Sequence, residues 1–224
     1  MSDSVSDADV DAARRMYHRD GYAQLGNVLA EDRVARLEAE AVRLYERWGP
    51  TRRDVLRHPV GAARNADSLD GAALSVLFDE LLHDRELDRW AARILGGAVE
   101  PVDLALRYML PRTPSSPPVP CGPCSAMGSS NDSVHLWIPI QRDGSWCLRV
   151  ALRSHVRVMS PGPGLFCRRR NGPGRVGGCG GSDPCVLAVH PRLWVGMGAN
   201  ESRYLRASAT LTYRRHHAGD GPCH

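Results

Sequence analysis

Residues 133–140 read SVHLWIPI. Aliphatic side chains occupy every second position of this stretch, at Val134, Leu136, Ile138 and Ile140. Because successive side chains of a strand point to opposite faces, this period of two predicts a β-strand with one face in an apolar core. His135 and Trp137 then share the other face of the same strand, so a polar and an aromatic group are predicted to lie side by side.

The same period continues on both sides of this stretch. It covers four further segments, residues 102–110, 146–152, 186–189 and 207–213. Turns rich in Gly, Pro and Asn separate these segments and no helical pattern intervenes, which favours a β-sandwich or jelly roll. Residues 111–132 and 161–183 show no period and are dense in Pro or Gly, so we predict irregular loops there.

The first 95 or so residues have a different period, with apolar side chains at the spacing of an α-helix. The clearest series is Val34, Leu37, Ala41, Leu44 and Trp48. Asp84 is the predicted N-cap of a helix over residues 87–95, and Gly21 is the predicted end of the first helix. We therefore expect a single α+β domain, with a helical part at residues 1–97, a strand core at 98–215 and a tail at 216–224.

Composition narrows the possible partners. The 224 residues carry a formal net charge of +4, and all 29 basic residues are arginine. The basic clusters at residues 168–170 and 214–217 have no interleaved aromatic residues, which argues against nucleic-acid binding. No apolar run approaches the roughly 18 residues of a membrane span, and the acidic N-terminal segment does not resemble a secretory signal. We expect a cytoplasmic protein that binds a small molecule.

Seven cysteines in such a chain predict free thiols rather than a disulfide framework. Cys121 and Cys124 form a C-x-x-C motif, while Cys179 and Cys185 lie further apart. The second pair has the wrong spacing for a zinc site, and the C-x-x-C follows proline-rich coil instead of a strand. Inert thiols are the main expectation, with metal binding through the thiols as an alternative.

Four segments, in this order, resemble the phytanoyl-CoA dioxygenase-like family of Fe(II)/2-oxoglutarate oxygenases. They are DGYAQLGNVL at residues 20–29, SVHLWIPI at 133–140, GSWCLRVALRSH at 144–155 and VHPRLWVGMGANES at 189–202, followed by Arg206. The likeness runs from about residue 18 to residue 215. It implies that the strands form a double-stranded β-helix, a jelly-roll or cupin-like core, beneath an N-terminal helical layer.

Members of this family bind iron through an H-x-D/E on one strand and a distal His on another, and an Arg binds 2-oxoglutarate. The resemblance places Arg206 at the arginine, Val195 at the distal histidine, and Cys121-Gly122-Pro123 near the H-x-D. The only H-x-D in the chain, at residues 18–20, precedes the strand region. The resemblance thus implies a degenerate iron site, and neither Fe(II) nor 2-oxoglutarate is expected as a cofactor.

Other side chains could supply chemistry or rebuild a metal site. The candidates are Cys121, Asp132, His135, His155 and His190. We expect Cys121 as nucleophile or acid, His135 or His190 as base, and Arg206 as the anchor for an anionic group. The alternative for each histidine is a hydrogen-bonded position in the sheet, and for Arg206 an acidic neighbour or solvent.

Three functions agree with these residues. The first is a metal-independent enzyme that modifies a small molecule, and the resemblance implies a tailoring role in natural product biosynthesis. The second is a binding or partner protein that kept the fold and lost the chemistry, recognisable by a filled pocket or an exposed apolar patch. The third is an active Fe(II)/2-oxoglutarate oxygenase with unusual ligands.

Overall fold

The computed structural model describes residues 7–26, 28–48, 55–59, 76–116, 119–121, 130–140, 147–156, 174–177 and 185–216. The described residues contain four α-helices: α1 (Asp7–Asp20), α2 (Glu31–Trp48), α3 (Val76–Leu82) and α4 (Arg85–Leu95). None of these helices is both long and apolar enough to cross a membrane. Short 3₁₀ turns occur at Ser130–Asp132 and Ser154–Val156.

The same described residues form ten strands, between and after these helices. They are β1 (Tyr22–Gln24), β2 (Val55–Pro59), β3 (Val99–Met109), β4 (Val119–Pro120), β5 (Ser133–Pro139), β6 (Cys147–Ala151), β7 (Gly174–Gly177), β8 (Leu187–Val189), β9 (Trp194–Met197) and β10 (Arg206–Arg215). Six form a major sheet in the order β1-β8-β5-β10-β3-β2, and four form a minor sheet in the order β4-β9-β6-β7. All the strand pairs are antiparallel.

The chain passes back and forth between the two sheets, so that consecutive strands of the core rarely pair with each other. β3, β5, β8 and β10 lie in the major sheet, while β4, β6, β7 and β9 lie in the minor sheet. This interleaving of two antiparallel sheets defines a double-stranded β-helix, or jelly roll. The expected α+β fold with a jelly-roll core is confirmed.

The helical layer covers one face of the major sheet. α4 packs on β3, β5 and β10, and it buries Leu87, Trp90, Ala91, Ile94 and Leu95. Asp84 caps its N-terminus by accepting hydrogen bonds from the main-chain N–H groups of residues 86 and 87. Gly96 ends the helix in the left-handed conformation that glycine adopts without strain (φ 74°). The predicted N-cap is thus confirmed.

α1 closes one end of the barrel. Gly21 ends this helix with φ 87°, and its amide donates to the carbonyl of Tyr17 at 2.8 Å. A Cβ added to Gly21 would lie 2.5 Å from Nδ1 of His155 and 2.6 Å from a methyl group of Leu193. Glycine is therefore required here by both conformation and space. The tyrosine hydroxyl of the same turn donates to the carbonyl of Ser133 at 2.9 Å, which ties α1 to β5.

Several elements differ from the sequence-based expectations. The two stretches predicted to be irregular each contain a short strand, β4 and β7, and the rest of them lies largely outside the described residues. β9 and β2 were also not predicted as strands of the sheets. These strands are short and lack a clear alternation of apolar and polar residues, so pairing with neighbours distant in sequence determines them.

Candidate functional site in the barrel

The inner faces of the two sheets enclose a second core, separate from the helix-facing one. Its buried members are Met109, Trp137, Leu148, Val150, Cys185, Leu187, Val189, Leu193 and Met197. Tyr22, Cys121 and Val195 are partly buried and pack against this cluster. In β5, Leu136 and Ile138 belong to the helix-facing core, so His135 and Trp137 face the barrel interior as expected.

His135 lies near the end of the barrel that α1 covers. It is 4% exposed, and its ring Nδ1 lies 2.9 Å from Oγ1 of Thr212 on the neighbouring strand. Val189 pairs with the same histidine from the other side. Histidine and threonine thus form a buried cross-strand hydrogen bond, which fixes the orientation of the imidazole.

Cys121 directly follows β4, and Val195 lies on the neighbouring strand β9. Val195 pairs with Val119, and the amide of Cys121 donates to the carbonyl of Leu193 at 2.9 Å. Burial raises the pKa of the Cys121 thiol to about 12, and the guanidinium of Arg107 opposes that rise. The thiol is therefore protonated near neutral pH, a state in which it is a poor nucleophile.

Arg206 is the first residue of β10, six residues before Thr212 on the same strand. It is 6% exposed, so it does not face solvent. Its Nη1 donates to the carbonyl of Ala199 at 3.5 Å. The turn before β10 is fixed by Asn200, which is fully buried and donates to three main-chain carbonyls at 2.9 to 3.1 Å.

The structure separates the predicted histidines from Arg206. His135 and His190 lie at the end of the barrel near α1, while Cys121 is within electrostatic reach of both Tyr17 at that end and Arg107 on β3. Arg206 is six residues from the partner of His135 along β10, or about 20 Å at the rise of a strand. A ligand in contact with both groups would have to run along the barrel axis.

His190 belongs to a cluster of rings beneath α1. Its ring centroid lies 4.8 Å from that of His155 and 5.7 Å from that of Tyr17. Burial, followed by the charges of His155 and Arg192, lowers the pKa of His190 to about 3. The amide of Arg192 donates to its Nδ1 at 3.1 Å. His190 is therefore neutral near pH 7, and this cluster holds α1 against the turn between β8 and β9.

Two interior residues on β10 and β3 were not predicted from the sequence. Ser208 shares the inner face with Arg206, is fully buried, and its hydroxyl has no hydrogen-bond partner among the described residues. Arg107 pairs with this serine across the two strands. Its neighbours Leu106 and Tyr108 face the helical layer, so Arg107 faces the barrel, where its side chain is exposed. Only the register between β3 and β10 brings the two together.

The other candidate ligands have structural partners. Asp132 forms an ion pair with Arg215, with 2.7 Å between Oδ1 and Nη2. Nε2 of His155 lies 3.2 Å from the carbonyl oxygen of His18. Asp20, from the H-x-D outside the strand region, pairs with Arg19 and Arg153. Cys185 forms a disulfide, so the prediction of free thiols is wrong for this residue; its partner lies outside the described side chains.

The residues at the expected iron positions do not fit an iron triad. Val195 offers no donor atom, and Cys121 offers a thiol whose pKa is raised by burial. Across the parts of the chain that the structure describes, no three His, Cys, Asp or Glu side chains are grouped so that they could hold a metal ion. Gly122 and Pro123 lie outside those parts, and neither residue has a side-chain ligand atom.

Comparison with known proteins agrees with this fold. No family model matches the sequence, and no curated protein matches it either. The structure is similar to AviO1 from Streptomyces viridochromogenes Tue57, with a TM-score of 0.63 and 27% identity over 97% of this chain and 100% of that one. It is also similar to EvdMO1, with a TM-score of 0.67 and 25% identity over 92% of this chain and 50% of that one.

A third similar structure is SnoN, a non-haem alpha-ketoglutarate-dependent epimerase from nogalamycin biosynthesis. The TM-score is 0.66, with 19% identity over 94% of this chain and 84% of that one. At this identity the likeness concerns the fold, and it extends over nearly the whole chain. The chain therefore has the fold of the phytanoyl-CoA dioxygenase-like family of non-haem iron, 2-oxoglutarate oxygenases.

Proposed function

We propose that this protein is a tailoring enzyme of natural product biosynthesis that acts on an anionic small molecule without the iron of its structural relatives. The observation that carries the proposal is the composition of the barrel interior. Val195 and Cys121 stand where the resemblance places iron ligands, while Arg206 keeps the position of the carboxylate-binding arginine. In this proposal the protein keeps an anion anchor beside an incomplete set of metal ligands.

The surroundings of Arg206 support a role in anion binding. The guanidinium is buried, and Ser208 places on the same face of β10 a hydroxyl that has no hydrogen-bond partner within the described part of the chain. A buried guanidinium and a hydroxyl can together donate several hydrogen bonds to one carboxylate. Because the interior around them is largely apolar, these bonds are stronger than they would be in water.

At the other end of the barrel, His135 is the best-placed base. Its Nδ1 is held by Thr212, and the ring faces the interior. Cys121 would act as an acid or nucleophile only if a bound substrate lowered the pKa of its thiol. His190 has a pKa of about 3 and packs beneath α1, so it is a weak base and its role in this proposal is to position α1.

A second candidate function is a non-catalytic binding protein on the same fold. The observation that favours it is the tight apolar packing between the sheets, where nine hydrophobic side chains are each at most 8% exposed. A protonated thiol beside this cluster is also what a structural cysteine would show. Under this alternative the anion at Arg206 would be bound and left unchanged.

The proposal is tested by isothermal titration calorimetry on protein purified with EDTA, with glutarate and 2-oxoglutarate as probes. Both should bind equally, since the keto group contributes chiefly by chelating a metal. Arg206→Ala should weaken both by more than about tenfold, the loss of one charge-assisted contact. Arg203→Gln, an exposed arginine in the turn before β10, is the matched control and should change neither.

Titration after anaerobic addition of Fe(II) separates the remaining functions. Unchanged affinity for 2-oxoglutarate supports a metal-independent protein. Stoichiometric iron that selectively tightens 2-oxoglutarate would overturn the proposal in favour of an active oxygenase. If the wild-type protein converts a bound anionic metabolite and a His135 variant does not, the protein is an enzyme and not a binding protein.

A further inference from the structure

The last turn of α1 is held against the end of the barrel by hydrogen bonds to other parts of the chain. These bonds run from the hydroxyl of Tyr17 to the carbonyl of Ser133 (2.9 Å), from Nε2 of His155 to the carbonyl of His18 (3.2 Å), from the amide of Arg153 to the carbonyl of Asp20 (3.0 Å) and from the amide of His190 to the carbonyl of Gly21 (2.8 Å). Two of these bonds involve histidines whose rings are buried, His155 and His190. The attachment of α1 therefore depends on the protonation state of these two rings.

The contacts of His155 fix its protonation state. Because Nε2 faces a carbonyl oxygen, this nitrogen carries the proton of the neutral ring, and Nδ1 has only a lone pair. Nδ1 is buried and has no hydrogen-bond partner within the described part of the chain. It lies against the main chain of Gly21, where an added Cβ would be 2.5 Å away. A second proton on this ring would have no acceptor, so the closed position of α1 excludes the imidazolium form.

His190 is kept neutral by a different contact. Its Nδ1 accepts the main-chain amide of Arg192 at 3.1 Å, so protonation of this nitrogen would break that bond. The ring centroid lies only 4.8 Å from that of His155, and two imidazolium rings at this distance would repel each other. Burial, followed by the charges of His155 and Arg192, lowers the pKa of His190 to about 3.

The charged and titratable groups around the two rings do not compensate a positive charge. They come from α1, β5 and the turn before β9, and they are Tyr17, His18, Asp20, His135 and Arg192. Among these described groups Asp20 is the one carboxylate, and Arg19 and Arg153 neutralise it. Protons on both rings would therefore leave a net positive charge beneath α1.

We propose that α1 is an acid-released lid: when His155 and His190 take up protons, α1 detaches from the end of the barrel while the two sheets stay paired. The sheets persist because the main-chain hydrogen bonds between their strands do not titrate. Opening exposes the end of the barrel at which His135 lies. The inference goes beyond the proposed function, and it holds for an enzyme and for a binding protein alike.

The sign of the pH dependence follows from the lowered pKa of both rings. Only the open form binds the protons readily, so the lid is closed above about pH 6.5 and opens progressively as the pH falls. A histidine with an ordinary pKa in the open form and no proton in the closed form raises the equilibrium constant for opening by about 25-fold from pH 7 to pH 5.

Hydrogen–deuterium exchange followed by mass spectrometry at pH 7 and pH 5 tests the lid, with rates corrected for the intrinsic exchange of each amide at each pH. Peptides from α1 report opening of the lid, and peptides from β5 report unfolding of the barrel. The opening constant of α1 should rise by at least about 25-fold on acidification. At pH 5 it should exceed the opening constant of β5 by at least about tenfold.

Substitution of each ring identifies the titrating groups. His190→Gln should lose one factor of about 25 from the acid-induced rise, because glutamine can accept the amide of Arg192 but does not titrate. His155→Gln should likewise lose the factor that belongs to the other ring. His83→Gln is the matched control: its exposed ring lies outside the cluster, so the variant should keep the full wild-type rise.

Gly21→Ala provides a second test at neutral pH. It places a methyl group against Nδ1 of His155 and should raise the opening constant of α1 without acid, more than Gly26→Ala, whose added methyl group meets nothing within 4 Å. An opening constant of α1 that does not change between pH 7 and pH 5, or a full rise in both glutamine variants, refutes the lid. A single opening constant shared by α1 and β5 at pH 5 also refutes it, because acid would then unfold the whole barrel.

Discussion

Acidification should destabilise this protein at the end of the barrel that α1 covers, because histidine rings are buried there as neutral bases. His190 is 4% exposed, and its ring contacts those of His155 and Tyr17. Burial and the charges of His155 and Arg192 lower the pKa of His190 to about 3. The pKa of His155 is also lowered, chiefly by burial.

Between about pH 6.5 and pH 3 the unfolded chain binds a proton at His190 that the folded protein excludes. The stabilisation is therefore fully present above pH 6.5 and is lost as the pH falls towards 3. Each such proton changes the free energy of unfolding by about 1.4 kcal/mol per pH unit. From pH 7 to pH 5, His190 alone accounts for at most about 2 kcal/mol, since solvent screens part of the effect.

Urea unfolding followed by circular dichroism at pH 7 and pH 5 measures this loss. His190→Gln should be less stable than the wild type at pH 7. Between pH 7 and pH 5, however, the free energy of unfolding of the variant should fall less than that of the wild type, by up to about 2 kcal/mol. His83→Gln is the control: its exposed ring contacts only the carbonyl of Asp79, and it should keep the wild-type pH dependence. An identical fall in the wild type and His190→Gln would refute the burial of a neutral ring.

Two further substitutions test how the barrel ends are held. Asn200→Ala removes three hydrogen bonds to main-chain carbonyls and should lower the free energy of unfolding by about 2 to 4 kcal/mol, measured in urea. Asn200→Asp should not restore it, because a carboxylate cannot donate. Gly21→Ala introduces both a positive-φ alanine and a clash with His155, whereas Gly26→Ala introduces positive φ (76°) with nothing within 4 Å. Gly21→Ala should therefore be the more damaging, losing more than the roughly 1 to 2 kcal/mol of left-handed strain alone.

The sequence predicted those parts of the fold in which each strand or helix has two unlike faces. β5 could be predicted because Leu136 and Ile138 pack on the helical layer while His135 and Trp137 face the barrel. α4 could be predicted because its apolar face and Asp84 cap are local features. β4 was not predictable, because two residues that include a proline carry no period and become a strand only by pairing with β9.

The candidate site was predictable only where a motif carried it. Arg206, Val195 and Cys121 follow from the family resemblance, and the inward position of His135 follows from the period of β5. Arg107 could not be identified, because nothing near it in sequence indicates that it lies opposite Ser208, 101 residues later in the chain. Strand register is set by long-range packing, and it decides which charges become neighbours.

β10 is the last of the ten strands that the structure describes, yet it occupies a central position in the major sheet, between β5 and β3. During synthesis these two strands are made long before the strand that joins them. Until β10 docks, their hydrogen-bonding edges stay open to pairing with another chain, and contacts this distant in sequence form slowly. Refolding yields should therefore fall steeply with protein concentration, and the vulnerable species is the half-assembled sheet rather than the finished barrel.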